Sequence, residues 1–82
     1  MPWAARYARL IPRGHAVQIR LNGEPYELDH PLSVAELLEK LEIDERRVAI
    51  EYNLSILKRY AFPQTIVSEG DRLEIVNFVG GG

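Results

Sequence analysis

The sequence predicts an α+β domain in which one mixed β-sheet packs on a single α-helix. Three observations support this fold class: an alternating apolar segment closed by Asn22-Gly23, an apolar stripe at helical spacing, and later alternating segments that return the chain to a sheet. This order is typical of a helix that covers one face of a sheet. The 82 residues suffice for one small domain with a thin core.

Residues 17–28 predict a β-hairpin. Val17, Ile19 and Leu21 alternate with polar residues, which is the period of a half-buried strand. The Asn22-Gly23 pair that follows is the strongest short signal for a tight hairpin turn. Because proline lacks an N–H group, Pro25 predicts a strand start or a strand at the sheet edge.

The next segment predicts a short amphipathic helix. Ser33 and Glu36 have the spacing of a capping box at a helix start. An apolar stripe with helical spacing follows and ends near residue 41: Val34, Leu37, Leu38 and Leu41.

The second half of the chain predicts a return to the sheet. Its expected parts are a strand over 48–53, a short strand over 54–57, an irregular segment over 58–68, a turn over 69–71 and a last strand over 72–79. Within the irregular segment, Phe62-Pro63 predicts a break and residues 65–67 a possible bridge. The expected inward-facing strand residues are Ile19, Leu21, Ile50, Leu73 and Ile75.

Composition excludes several function classes. Twelve Asp and Glu outnumber ten Lys and Arg, which argues against a nucleic-acid-binding face. The sequence contains no apolar run long enough to predict a membrane span. Without cysteine, the chain has no disulfide, no zinc thiolate site and no thiol nucleophile.

The two ends of the chain differ from the body in composition. Residues 1–15 contain three arginines and no acid, and predict a flexible N-terminal extension that is either native or left by cloning. The domain itself is expected over residues 16–79, with a flexible glycine tail over residues 80–82.

The sequence predicts that the chain is not an enzyme. None of its carboxylates forms a recognisable acid–base pair with a positioned partner. Asp29 and His30 could form a weak dyad, although a turn is the more ordinary role for such a pair. No residue set has metal-ligand spacing, and we expect no metal site.

Three consecutive glycines, Gly80, Gly81 and Gly82, follow the last predicted strand. Glycine has no Cβ, so such a tail is thin and flexible enough to enter a channel that side chains would block. Its reactive group is the α-carboxylate of Gly82. A frayed terminus or a cloning remnant is the alternative interpretation.

The ordered set of segments resembles the ubiquitin-like β-grasp sulfur carriers of the MoaD/ThiS superfamily, and among them the ThiS-type carriers of thiamin biosynthesis. The matching segments are 19–24 (IRLNGE), 33–38 (SVAELL), 48–53 (VAIEYN), 69–76 (EGDRLEIV) and the terminal Gly81-Gly82. The resemblance covers residues 17–82. The family often has glycine after the asparagine that ends the third strand, whereas Leu54 stands here.

This resemblance implies a ubiquitin-like β-grasp fold and a role as a sulfur carrier in the cytoplasm. A ThiF-like adenylating enzyme would activate the Gly82 carboxylate with ATP and Mg²⁺, neither of which this chain would bind itself. A persulfide-bearing desulfurase system would supply sulfur, and a ThiG-like thiazole synthase would use the resulting thiocarboxylate. Gly80 and Gly81 would thread the partner's active site, and Phe78 and Val79 would dock on the partner.

Two alternatives stay open at this level. The small subunit of molybdopterin synthase shares the fold and the Gly-Gly end, but it typically has a Phe-Pro-Pro stretch where this chain has residues 76–79 (VNFV). A sulfur carrier that serves another thiolation pathway belongs to this same first alternative. In a different class, the chain would be a ubiquitin-like binding module whose C-terminus is never activated.

Overall fold

A computed structural model of the chain describes residues 16–78. Its strands are, in chain order, β1 (Val17–Leu21), β2 (Glu24–Leu28), β3 (Leu32–Ser33), β4 (Val48–Tyr52), β5 (Ser55–Leu57), β6 (Ile66–Val67) and β7 (Arg72–Asn77). The α-helix α1 (Val34–Lys40) follows β3, and two 3₁₀ helices span Glu45–Arg47 and Arg59–Gln64.

The main sheet has five strands in the order β2-β1-β7-β4-β5. The β1–β7 pair is parallel and the other neighbouring pairs are antiparallel, so the predicted mixed sheet is confirmed. The last strand of the described residues, β7, therefore lies at the centre of the sheet. Pro25 lies on β2, at the sheet edge, as its missing N–H group predicted.

The first hairpin and the helix start form as their sequences predict. Asn22 and Gly23 both have positive φ angles (51° and 84°), which is a type I′ turn. At the helix start, the Glu36 N–H donates to Ser33 Oγ (3.0 Å) and the Ser33 N–H donates to Glu36 Oε1 (2.8 Å). This reciprocal capping box satisfies two N–H groups that would otherwise lack partners.

A second, two-stranded sheet holds the helix start in place. The strands β3 and β6 pair through Leu32 with Val67 and through Ser33 with Ile66. The sequence predicted only a bridge near β6 and gave no sign of β3. Because β3 ends at the N-cap Ser33, its pairing with β6 fixes where α1 begins.

The core lies between α1 and the inner face of the main sheet. Its most buried side chains are Phe62, Ile19, Leu28, Leu37, Leu38, Ile50, Leu73, Val34 and Val67. The prediction of a break at Phe62-Pro63 was wrong, because both residues lie inside the second 3₁₀ helix and Phe62 is only 1% exposed. The predicted last strand was also too long, since β7 ends at Asn77.

Candidate functional site at the root of the glycine tail

The candidate site begins where the described part of the chain ends. Val79 and the three glycines, Gly80, Gly81 and Gly82, lie outside the described residues. Phe78 is the last described residue, and its N–H donates to the Arg47 carbonyl oxygen (2.9 Å). This bond extends the β4–β7 ladder by one step and fixes the point from which the tail departs.

An apolar surface surrounds this point on the outer face of the sheet, which is the face opposite α1. Val76 pairs with Ala49 on β4, and Val76 and Phe78 are 56% and 58% exposed. Strand alternation puts Val76 and Phe78 on the same side. We call Ala49, Val76 and Phe78 the root patch. The sequence singled out Phe78, but Val76 and Ala49 join it only through strand pairing.

The first 3₁₀ helix adjoins the root patch through the Arg47 carbonyl oxygen, which accepts from the Phe78 N–H. Asp44 caps this helix by accepting from the Arg46 N–H (2.9 Å), and its carboxylate also accepts from Arg46 Nε (3.1 Å) and Nη2 (2.9 Å). The side-chain hydrogen bond from Arg46 is the main cause that lowers the pKa of Asp44 to about 2. Both arginine side chains are exposed, but Arg46 hydrogen-bonds to Asp44, whereas Arg47 Nε lies 3.8 Å from Asp44 Oδ2.

The opposite end of the sheet is held by Asp71. Its carboxylate accepts hydrogen bonds from the Tyr52 hydroxyl (2.7 Å), the Ser68 N–H (2.8 Å) and Asn53 Nδ2 (3.2 Å). The bond from Tyr52, aided by burial, raises the pKa of that hydroxyl to about 12. All three donors belong to turns and strand ends, so Asp71 has a structural role.

Beside Asp71, the β4–β5 turn departs from the usual residue pattern. Asn53 and Leu54 have φ angles of 52° and 74°, again a type I′ turn. Leucine takes the position at which glycine is preferred, and its side chain is 71% exposed. The turn therefore forms despite the missing glycine, at the cost of backbone strain.

The described residues contain no arrangement typical of a metal or acid–base site. Between residues 16 and 78 no group of three or more His, Asp and Glu side chains could hold a metal ion. The His30 ring pairs through Nδ1 with the Pro31 carbonyl oxygen at 3.0 Å, and no hydrogen bond or ion pair joins it to Asp29 in this part of the chain. No helix described here has the length and apolar character needed to cross a bilayer.

The fold and the root of the tail match one known family. The model of the ThiS family matches residues 19–82, which include both the sheet and the three glycines. The chain belongs to the ThiS family. Membership of this family supports a role as a small sulfur carrier.

A solved ThiS structure confirms the β-grasp fold of the chain. The crystal structure of the thiamine biosynthesis protein ThiS from Geobacter metallireducens aligns with a TM-score of 0.71 and 38% sequence identity. The alignment covers 80% of this chain and all of that one. The uncharacterized protein ycf40 of Porphyra purpurea is 39% identical over 66 residues, which are 80% of this chain and 93% of that protein.

A third relative links a ThiS-like segment to a larger protein. A thiazole synthase from Paramagnetospirillum magneticum is 41% identical over 66 residues, which are 80% of this chain but 20% of that protein. This chain thus spans about a fifth of that thiazole synthase.

Proposed function

We propose that this ThiS-family chain carries sulfur on its C-terminal Gly82 and donates it to the forming thiazole ring of thiamin. The observation that carries the proposal is that the family match runs through residue 82, so that the glycine tail belongs to the matched region. The central strand β7 supports it, because it leads directly into this tail.

The chemistry requires activation of the Gly82 carboxylate, because its oxygens are poor leaving groups. Attack of the carboxylate on the α-phosphorus of ATP releases pyrophosphate and forms an acyl-adenylate, in which AMP is a good leaving group. The terminal sulfur of a partner's persulfide then attacks the acyl carbon and AMP departs. A thiol of the donor system cleaves the S–S bond, and the thiocarboxylate is left on Gly82.

We assign ATP, Mg²⁺ and the catalytic groups to the adenylating partner, a ThiF-like enzyme. This chain is then a protein cosubstrate and not an enzyme. ATP and reduced sulfur donors are available in the cytoplasm, which is the compartment we propose.

The root patch supports docking of a partner beside the tail. Phe78 and Val76 expose apolar surface at the point where the tail departs, and aromatic residues are enriched in the buried centres of interfaces. We propose that Phe78, together with Val79 of the adjoining segment, contacts the partner while Gly80 and Gly81 enter its active-site channel. The four residues 79–82 span at most about 14 Å when extended, so the reacting centre must lie within that reach.

The thiazole synthase relative supports the identity of the sulfur acceptor. A segment like this chain forms part of a protein called thiazole synthase, which links the two in one polypeptide. We therefore propose a ThiG-like thiazole synthase as the enzyme that consumes the thiocarboxylate.

Mass spectrometry of the intact chain tests the proposal. The chain is incubated with a ThiF-like enzyme, a persulfide donor and ATP, and fragmentation localises any mass change. Exchange of one oxygen for sulfur on Gly82 that depends on ATP is the expected result. A variant that lacks Gly82 is the control, and we expect it to fold but not to be loaded.

An unmodified Gly82 in the presence of an active adenylating enzyme would contradict the proposal. That result would favour a ubiquitin-like binding module whose tail is never activated. Equal loading of the variant without Gly82 would place the chemistry on another residue.

A further inference from the structure

The outer face of the sheet carries its charges in rows of like sign. The parallel register between β1 and β7 pairs Arg20 with Arg72. The antiparallel register between β4 and β7 pairs Glu51 with Glu74 one step closer to the tail. Ala49 and Val76 of the root patch form the next row. Along β7 the face therefore presents a basic row, an acidic row and an apolar row in order.

This arrangement disfavours folding of the isolated domain. In an antiparallel pair such as Glu51 and Glu74 the Cβ atoms are about 4.5–5.5 Å apart, and like charges directly opposite each other are destabilising. The parallel pair of Arg20 and Arg72 likewise places two like charges on neighbouring strands. Among residues 16–78, the only ion pairs join Asp44 to Arg46 and Arg47, so none of the four row residues is neutralised in this way. Opposite charges in each row would instead stabilise the sheet.

Leu54 adds an independent cost at the same end of the face as the arginines. Its φ angle of 74° lies in the left-handed region, where a residue with a Cβ is strained. Burial does not compensate for this strain, because the side chain is 71% exposed. The turn lies against β7, since the Asn53 N–H donates to the Arg72 carbonyl oxygen (2.8 Å) and the Arg72 N–H donates to Asn53 Oδ1 (2.9 Å). Leu54 and Arg72 line the same open surface depression, so Leu54 adds an apolar side chain beside the basic row.

We propose that these rows form an orientation-specific docking face for the thiazole synthase that accepts the sulfur. The partner surface would present carboxylates and an apolar pocket to the arginines and Leu54, cations to the glutamates, and apolar side chains to the root patch. This inference rests on the proposed function. The charges favour a protein partner over a nucleic acid, because the basic row lies next to an acidic row. The domain as a whole is also acidic, with seven Lys and Arg against twelve Asp and Glu over residues 16–78.

The order of the rows explains why docking would align the tail. Arg72 and Phe78 are six residues apart along the direction of β7, about 20 Å. A partner that matches the rows in the correct order places its active-site channel at the Phe78 end. The reversed orientation brings like charges together, which disfavours it.

A swap along β7 tests the proposal without changing net charge. The double variant Arg72→Glu with Glu74→Arg keeps the composition and turns both like-charged pairs into pairs of opposite charge. Binding of the full-length domain to the thiazole synthase of the same organism is measured by titration calorimetry, and stability by thermal unfolding. We expect at least a tenfold weaker Kd together with an unchanged or raised Tm.

A matched double variant on the helix serves as the control. Glu39→Lys with Lys40→Glu also swaps two exposed charges at constant net charge, but on α1, away from the outer face. We expect its Kd to stay within twofold of the wild type. Equal Kd values for the two double variants, or no binding of the wild-type domain, would overturn the inference.

Leu54→Gly tests the apolar end of the basic row separately. Glycine relieves the strain, so we expect an unchanged or raised Tm together with several-fold weaker binding. Glu42→Gly is the control, because Glu42 also has a positive φ angle (60°) but follows α1. Weakening by both glycine variants to the same extent would contradict a specific role for Leu54.

Loading of the wild-type chain separates this inference from the proposed function. A wild-type chain that is loaded on Gly82, combined with swap variants that bind normally, rejects the docking face and leaves the sulfur-carrier proposal standing. A wild-type chain that is not loaded rejects the carrier proposal, whatever its binding to the thiazole synthase.

Discussion

Two asparagine side chains hold the central strand β7 from opposite sides. Asn22 Oδ1 accepts from the Ile75 N–H (2.7 Å) and Asn22 Nδ2 donates to the Ile75 carbonyl oxygen (3.2 Å). Asn53 uses its own side chain in the same manner, accepting from the Arg72 N–H at 2.9 Å. Each asparagine also begins a type I′ turn, where its tolerance of positive φ is needed. Each of these asparagines thus both forms a hairpin turn and hydrogen-bonds through its side chain to β7.

The double role of Asn22 gives a prediction at the residue scale. Asn22→Ala removes two side-chain hydrogen bonds to β7 and a favoured turn residue, so we expect a loss of about 2 kcal/mol in the free energy of unfolding. Urea titration measures it. Asn77→Ala, at the exposed end of β7, is the control and should stay within about 0.5 kcal/mol of the wild type. Equal effects would contradict the bracing role of Asn22.

The hydrogen bond between Tyr52 and Asp71 predicts a dependence of stability on alkaline pH. The pKa of Tyr52 rises from 10.0 to about 12 on folding. Because the folded pKa is the higher one, the stabilisation is fully present below pH 10 and is lost as the pH rises to about 12. Urea titrations at several pH values should show this loss in the wild type and a smaller one in Tyr52→Phe. Tyr60→Phe, at an exposed tyrosine, should retain the wild-type slope.

At the scale of elements, the second 3₁₀ helix closes the core next to α1. Phe62 is the buried side chain of this helix, whereas Tyr60 on the same helix is 78% exposed. The helix is followed by β6, whose pairing with β3 leads into the cap of α1. A segment without clear periodicity therefore positions the one α-helix of the described domain.

Substitution of Phe62 tests this role. Phe62→Ala removes a fully buried ring, and we expect a loss of about 3–5 kcal/mol in the free energy of unfolding. Because that loss is comparable to the whole stability of a small domain, Phe62→Leu, with an expected cost of about 1–2 kcal/mol, keeps the measurement possible. Tyr60→Ala should cost less than about 0.5 kcal/mol. A small effect of both Phe62 variants on chemical denaturation would contradict the core role of this helix.

The elements that the sequence predicts well are those whose signal lies within a few neighbouring residues. Ser33 and Glu36 are three residues apart, and Asn22-Gly23 is a contiguous turn signal, so both features could be predicted. The strand β3 has two residues, which is too short to show a period, and its partner β6 lies more than 30 residues later. The burial of Phe62 likewise depends on packing against α1, which no local pattern encodes.

At the scale of the whole molecule, the glycine tail could be predicted from the sequence, whereas the charged rows on the outer face of the sheet could not. The glycines stand out by composition alone. The rows of like charge do not, because Arg20 and Arg72 are 52 positions apart and only the parallel register brings them together. Leu54 stands out in the sequence only as a residue where the family often has glycine, and its φ angle and exposure required the structure.

The proposed threading of the tail predicts the behaviour of a bulkier variant. Gly81→Val adds a β-branched side chain beyond the described domain, so we expect the Tm to stay unchanged while the rate of adenylation falls at least tenfold. Pyrophosphate release with the adenylating enzyme measures this rate. Ala35→Gly, on α1 and away from the tail, is a control for general loss of domain stability. An unchanged rate for Gly81→Val would contradict a narrow channel in the partner.

The central position of β7 has a mechanical consequence. A pull on the glycine tail is directed along β7, which is bonded to β1 on one side and to β4 on the other. Such a force shears the ladders, so that many hydrogen bonds share the load, whereas an edge strand can be peeled away one bond at a time. A partner can therefore draw the tail into tension without unravelling the domain that carries it.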